Sequence, residues 1–210
     1  MNVIVIGAAS QVGQFVIRNL TERGHQSIAV INEKNKVPDM KKLGASKVET
    51  NGRGDFTPAF SGCDAVIFIS DSSPNTGAGK TVLVDHRAVI DAVQAAKQNG
   101  VKRFIMMSAV RVGESLTDSG EMIGAKDMPD ELIKEENIVH TVIRPAHMTD
   151  EPGRGTVTIA DSLTEGDETV PREDVAAVLV AALESEAAFN RVFEVASGDT
   201  AIREAVQALE

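Results

Sequence analysis

The sequence predicts an α/β protein, a doubly wound parallel sheet with helices on both faces and a small extension at its C-terminal side. Three observations carry that expectation. Short apolar runs of strand length alternate with stretches of helical periodicity. A glycine turn, "GAASQVG", joins the first run to the first helical stretch. Helical stretches end where a left-handed cap can form, at Gly24 after the first and at Gly100 after the one carrying Val89. In chain order, strands are expected over Val3 to Ile6, Ser27 to Ile31, Ala65 to Ser70, Arg103 to Ser108, Thr141 to Arg144, Thr156 to Ile159 and Val192 to Val195. Helical spacing recurs at Val12, Phe15, Val16 and Leu20, at Val89, Ala92, Val93 and Ala96, and at Val175, Val178, Leu179 and Ala182. The longest polar stretch, Arg111 to Asp130, is expected to be a loop leading into a helix over the sheet edge. Residues 1–210 read as one domain, with no repeat or linker-like segment.

Composition narrows the function classes. Twenty-one Lys and Arg against 31 Asp and Glu give a net charge of -10, which repels phosphate backbones and anionic membranes, so neither nucleic acid nor membrane is an expected partner. The apolar start "NVIVIG" is too short for a signal sequence or a membrane span, and an unexported, cytoplasmic protein is expected. The single cysteine, Cys63 in "GCDAVIFI", reads as a small core hydrophobe. His25, His86 and His140 have no companion ligand spacing, and no metal site is expected.

The opening turn has the chemistry of a dinucleotide cradle. Gly7 permits the bend, a small residue, Ser10, lets a pyrophosphate approach the backbone, and Gly13 lets the helix lie against the sheet. Ala8, Gln11 and Val12 supply backbone around that site, and the helix N-terminus offers free N–H groups and a partial positive charge. The Ser10 hydroxyl is a further candidate donor to a phosphate. After the second strand comes Asn32-Glu33-Lys34-Asn35-Lys36. Glu33 argues for NAD through a ribose hydroxyl, and Lys34 with Lys36 for NADP through a 2′-phosphate; the choice stays open with a lean to NADP. A second glycine-rich segment, "NTGAGKT", ends like a phosphate loop, but Pro74 stands where that loop needs its first glycine. It is read as a flap after the strand that ends at Ser70, with Thr81 capping the next helix.

Five stretches together resemble the atypical short-chain dehydrogenases/reductases, specifically the compact NAD(P)-binding group of biliverdin IXβ reductase/flavin reductase and the NmrA-like proteins. They are the turn from Gly7 to Gly13, "GCDAVIF", "GVKRFIMMSAV", "VIRPAHMTDEPGRG" and "VPREDVAAVLVAAL". The resemblance implies a Rossmann fold with the cofactor across the carboxyl ends of the strands and the C-terminal extension on the substrate side. It places Asn51, Gly52 and Asp55 near the adenine, and Ser70, Ser108, Pro145, Ala146, His147 and Met148 around the nicotinamide, with Ser108, Lys126 and His147 as the candidate catalytic groups.

The chain then departs from its relatives. Reductases of this superfamily pair a tyrosine with a lysine four residues later, and the phenol passes a proton to the reacting carbonyl. Here Met122 stands four residues before Lys126, and the sequence contains no tyrosine. A thioether has no proton to give. Two functions from different classes follow. One is an NAD(P)H-dependent reductase of a conjugated, flavin-like or quinone-like acceptor, where positioning does most of the work and water supplies the proton. The other is a non-catalytic NAD(P)-binding sensor of NmrA type, favoured by an aromatic content of 3% and the absence of tryptophan. A small-molecule substrate or none, and a monomer or homodimer, complete the expectation.

Overall fold

The computed structural model describes residues 1–50, 57–70, 78–108, 133, 137–164 and 169–209, with backbone alone for 57–58 and 78–87. The elements, in chain order, are β1 (Asn2–Ile6), α1 (Gln11–Glu22), β2 (Gln26–Val30), α2 (Val37–Lys42), β3 (Lys47–Glu49), β4 (Ala65–Ser70), α3 (Ala78–Gln98), β5 (Arg103–Ser108) and β6 (Val139–Pro145). They continue with β7 (His147–Thr149), β8 (Thr156–Ala160), β9 (Thr169–Pro171), α4 (Arg172–Glu184), β10 (Arg191–Ser197), β11 (Thr200–Ala201) and α5 (Ile202–Gln207).

Every residue of β4 and β5 is buried, because helices cover both faces of a parallel sheet and leave no solvent side for alternation. Among the described residues one sheet has the order β11-β8-β10-β6-β5-β4-β1-β2-β3. From β3 to β10 all neighbouring pairs are parallel, and β1 lies between β2 and β4. Strand order therefore reverses beside β1, and the crevice at its carboxyl end is where such sheets take ligands.

One face carries α1 and α4. Val12, Val16, Ile17 and Leu20 pack there with Val175, Val178 and Leu179 over Val3, Val5, Ile67 and Ile105. Helix α4 is apolar nearly all round because it is covered by the sheet, α1 and α5, rather than lying at the surface. The opposite face carries α3, whose Val89, Ala92, Val93 and Ala96 cover Phe68, Phe104 and Met106; the two phenyl rings stack with centroids 6.4 Å apart. Each fully buried aliphatic side chain of this kind contributes about 1.5–3 kcal/mol.

The expected fold class holds, and so do the seven expected strands within a residue or two. Gly24 and Gly100 take the left-handed cap, with φ of +76° and +70°. The differences have local causes. Strands β3, β7, β9 and β11 are two or three residues long and polar or proline-bearing, too short for periodicity to register. Strand β8 runs antiparallel to β10, since no crossover helix stands between β6 and β8 to return the chain in parallel. Thr81 does not cap α3 but lies inside it, because the helix begins at Ala78. The stretch from Arg111 to Asp130 lies outside the described residues.

The "GVKRF" segment has a structural explanation. Arg103 is 7% exposed at the start of β5, donates to the Ala182 carbonyl at 3.0 Å and to Thr141, and stacks its guanidinium 4.6 Å from the Phe189 ring. Burial pushes its pKa down to about 10, and the carbonyl end of α4 provides the compensating negative potential. This arginine ties the sheet to α4 at the end away from the cradle.

Candidate functional site

The cradle is made almost entirely of backbone. Gly7 follows β1 directly with a φ of +82°, a region open to glycine. A Cβ on Gly13 would stand 2.4 Å from the Gly7 carbonyl oxygen and 2.7 Å from the Ala8 backbone, so the first turn of α1 touches the loop that precedes it. Ser10 is the helix cap. Its hydroxyl donates to the Gly7 carbonyl at 2.9 Å and accepts the Gly13 N–H at 3.0 Å. The Ser10 hydroxyl thus closes the turn, and its donation to a phosphate stands as a proposal. The Ala8 N–H is also committed, to the Val30 carbonyl at 3.3 Å, and its side chain is fully buried. The N–H groups of Gln11 and Val12, at the positive end of a twelve-residue helix, have no acceptor among the described residues. A pyrophosphate fits this surface.

The segment after β2 folds back toward the turn. Ile31 is buried and donates to the Glu49 carbonyl at 2.9 Å, which brings Asn32 and Glu33 to the sheet's carboxyl edge. Lys36 Nζ lies 3.4 Å from the Ala9 carbonyl oxygen and 2.8 Å from Glu33 Oε2. Lys34 and Asn32 are exposed. Of the two lysines, Lys36 is the one that reaches over the cradle.

Across the switch point, Ser70 and Ser108 are register partners at the ends of β4 and β5, 4% and 1% exposed. The next strands continue the polar row: Arg144 of β6 pairs in register with Glu194 of β10, which is buried and accepts the Leu163 N–H at 2.9 Å. Neither Arg144 nor Glu194 stood out in the sequence, where each sits inside an apolar strand; the "IRP" within the quoted motif was the available signal. Pro145 and Ala146 are buried at the end of β6, and the Ala146 N–H goes to the Val195 carbonyl at 2.8 Å. His147 and Met148 form β7 against Thr169 and Val170, the histidine exposed and the methionine half-buried. Asn51, Gly52, Asp55, Met122 and Lys126 lie outside the described residues.

From within β7 onward, residues 148–155 are held by the first turn of α4. Arg172 donates to the Met148 carbonyl at 3.3 Å and to Asp150 at 2.7 Å. Glu173 accepts the Gly153 N–H at 3.0 Å and the Arg18 guanidinium, while Asp174 accepts the N–H groups of Arg154 and Gly155, both at 2.9 Å. The Gly153 N–H, with Arg18 adding to it, holds the Glu173 carboxyl below its usual range against a smaller effect of burial. Helical spacing from Val175 onward marks this helix in the sequence, but nothing there shows that the acids just before it serve another segment.

The remaining titratable candidates are structural. His25 lies 2.8 Å from Glu184, and His140 is buried with Nδ1 3.0 Å from the Ile138 carbonyl. The side chain of His86 lies outside the described residues. The Cys63 thiol donates to the Ala59 carbonyl, and burial, with Asp64 adding, pushes its pKa up, away from thiolate chemistry. No described helix is long and apolar enough to cross a membrane.

A parallel sheet with a glycine-lined, helix-capped turn at its switch point defines a Rossmann-fold nucleotide-binding chain. Comparison with known proteins gives the family: residues 7–186 match the one described as NAD(P)H-binding, and the chain belongs to it, consistent with its resemblance to the atypical short-chain dehydrogenases/reductases. A relative from Bacillus subtilis, described as the uncharacterized sugar epimerase YhfK, is 35% identical over the whole of both chains. The structure of a putative NAD-dependent epimerase/dehydratase from Bacillus halodurans superposes with a TM-score of 0.89 at 33% identity, covering 99% of each chain. That of the oxidoreductase ylbE from Lactococcus lactis gives 0.75 at 26%, covering 100% of this chain and 96% of the other.

Proposed function

We propose that this NAD(P)H-binding protein is a reductase that delivers hydride to a conjugated, flavin-like or quinone-like acceptor without a catalytic tyrosine. The observation that carries the reading is a cradle fit for a dinucleotide facing a buried pair of serines, in a chain with no tyrosine anywhere. The bound cofactor supplies the hydride. Gln11 and Val12 offer their N–H groups to its pyrophosphate, and Lys36 offers a cation to a 2′-phosphate, which favours NADP over NAD. At the other end Ser108 orients the acceptor, Pro145 and Ala146 wall the site with apolar surface, and His147 holds the acceptor's polar edge. With no phenol to donate, a conjugated acceptor spreads the incoming negative charge over its own framework and takes its proton from water.

Epimerisation of a sugar, the activity in the name of the B. subtilis relative, would begin by removing a hydroxyl proton, and this chain lacks a tyrosine to take it. Proteins described as a putative NADH-flavin reductase from Streptococcus pneumoniae and an anaerobilin reductase from Escherichia coli share the fold at 20% and 17% identity, a likeness of fold alone. The sensor reading rests on the scarcity of aromatic side chains on which a flat acceptor could stack. Oxidation of NADPH in the presence of FMN, FAD and a panel of quinones separates the two. Acceptor-dependent oxidation above the buffer rate supports the reductase; tight NADPH binding with no turnover for any acceptor gives the protein to the sensor reading.

A further inference from the structure

We propose that Arg172, Glu173 and Asp174 are positioning residues that set the acceptor end of the site by fixing residues 148–155. The inference rests on the reductase reading for what that end receives. Acids in the first turn of a helix ordinarily serve their own helix, as caps or through its dipole. Here Pro171 at the N-cap makes no side-chain cap bond, and both carboxylates reach away to a segment some twenty residues earlier. Asp174 is 2% exposed and has no cation within ion-pairing distance among the described residues; two N–H donors from Arg154 and Gly155 satisfy it. The fit is close, since a Cβ on Gly153 would stand 2.8 Å from Asp174 Oδ1. The loop is thus built around these side chains.

The held segment is continuous with the residues that wall the acceptor end. From Pro145 the chain runs through Ala146 into β7, where His147, Met148 and Thr149 pair with Thr169, Val170 and Pro171, and Pro171 leads directly into Arg172. β7 is therefore secured along its length by β9 and beyond its end by α4. Glu173 also takes Arg18 of α1, the helix whose first turn is the cradle. The geometry makes α4 the common support of both ends of the site, with the acceptor end hanging on three side chains.

The test compares wild type with Asp174→Asn, which keeps one acceptor oxygen, and Asp174→Ala, which keeps none. Four quantities are read: NADPH affinity by calorimetry, emission of bound NADPH, amide exchange at residues 153–155, and NADPH oxidation with FMN. Affinity should stay within about threefold, because the cradle is untouched. Exchange should quicken, and emission should fall toward that of free NADPH, in the order wild type, Asn, Ala. Turnover should drop about tenfold or more in kcat, with little change in the KM for FMN, as expected when only alignment is lost. Faster exchange with wild-type emission and kcat overturns the proposal, and Asp174→Asn decides alone if the alanine variant does not fold. Wild type that binds NADPH but reduces no acceptor refutes the reductase reading only, and emission and exchange still decide the positioning claim. Wild type that binds no nucleotide refutes both.

Discussion

The cradle and the proposed acceptor end are built by different means. At the cradle, seven consecutive residues, Gly7 to Gly13, make the surface from their own backbone, and the one polar side chain among them that bonds inward, Ser10, closes the turn. At the acceptor end the wall from Pro145 to Gly155 is ordinary loop and short strand, and its shape comes from charged side chains on a helix that starts at Arg172. A backbone-made site is rigid because altering it means altering the turn. A site propped by side chains can be loosened one hydrogen bond at a time, and that difference orders the consequences of substitution.

The largest effect is expected at Gly13. A Cβ there meets backbone atoms at 2.4 to 2.7 Å, which no rotamer can relieve, so Gly13→Val should cost more than about 4 kcal/mol of stability and abolish NADPH binding. Gly13→Ala should show the same defects in reduced form. Denaturant melts and calorimetry check both, and a native, fully binding Gly13→Ala would end the claim that the cradle is backbone-limited.

An intermediate effect is expected at Glu173, on the propped side. Its folded pKa lies below the unfolded value, so its contribution to stability is present above the unfolded pKa and lost as pH falls through the folded one. Wild type should therefore exceed Glu173→Gln in stability at pH 7, and the gap should close as pH falls below about 4, the ordinary range of a free glutamate. A gap that persists unchanged to pH 3 would mean the carboxylate's charge is not what holds Gly153. The smallest effect is expected at Lys36, which is partly exposed and already paired with Glu33. Lys36→Ala should reduce the preference for NADPH over NADH several-fold, measured by paired titrations, and the loss should shrink as salt screens the charge.

This contrast also explains what the sequence revealed. The cradle was legible because its signal is local: a strand, two glycines six residues apart, and a helix that follows at once. The core strands were legible because runs such as residues 65–69 are apolar throughout. The props were not, since Asp174 and Gly155 are nineteen residues apart and nothing in "PRED" distinguishes acids that reach across to a loop from acids that serve their own helix. Arg144 and Glu194 were hidden for the same reason, as register partners fifty residues apart in the chain. Ser10 is legible as a member of the turn, but sequence carries no information on which way a small hydroxyl points.

The central claim is that one nucleotide spans both constructions. Amide hydrogen exchange of wild type with and without saturating NADPH tests it directly. The account predicts added protection in two separate segments, around residues 8–14 at the cradle and around 146–155 at the acceptor end. Protection confined to the cradle, with 146–155 exchanging as in the free protein, would contradict it.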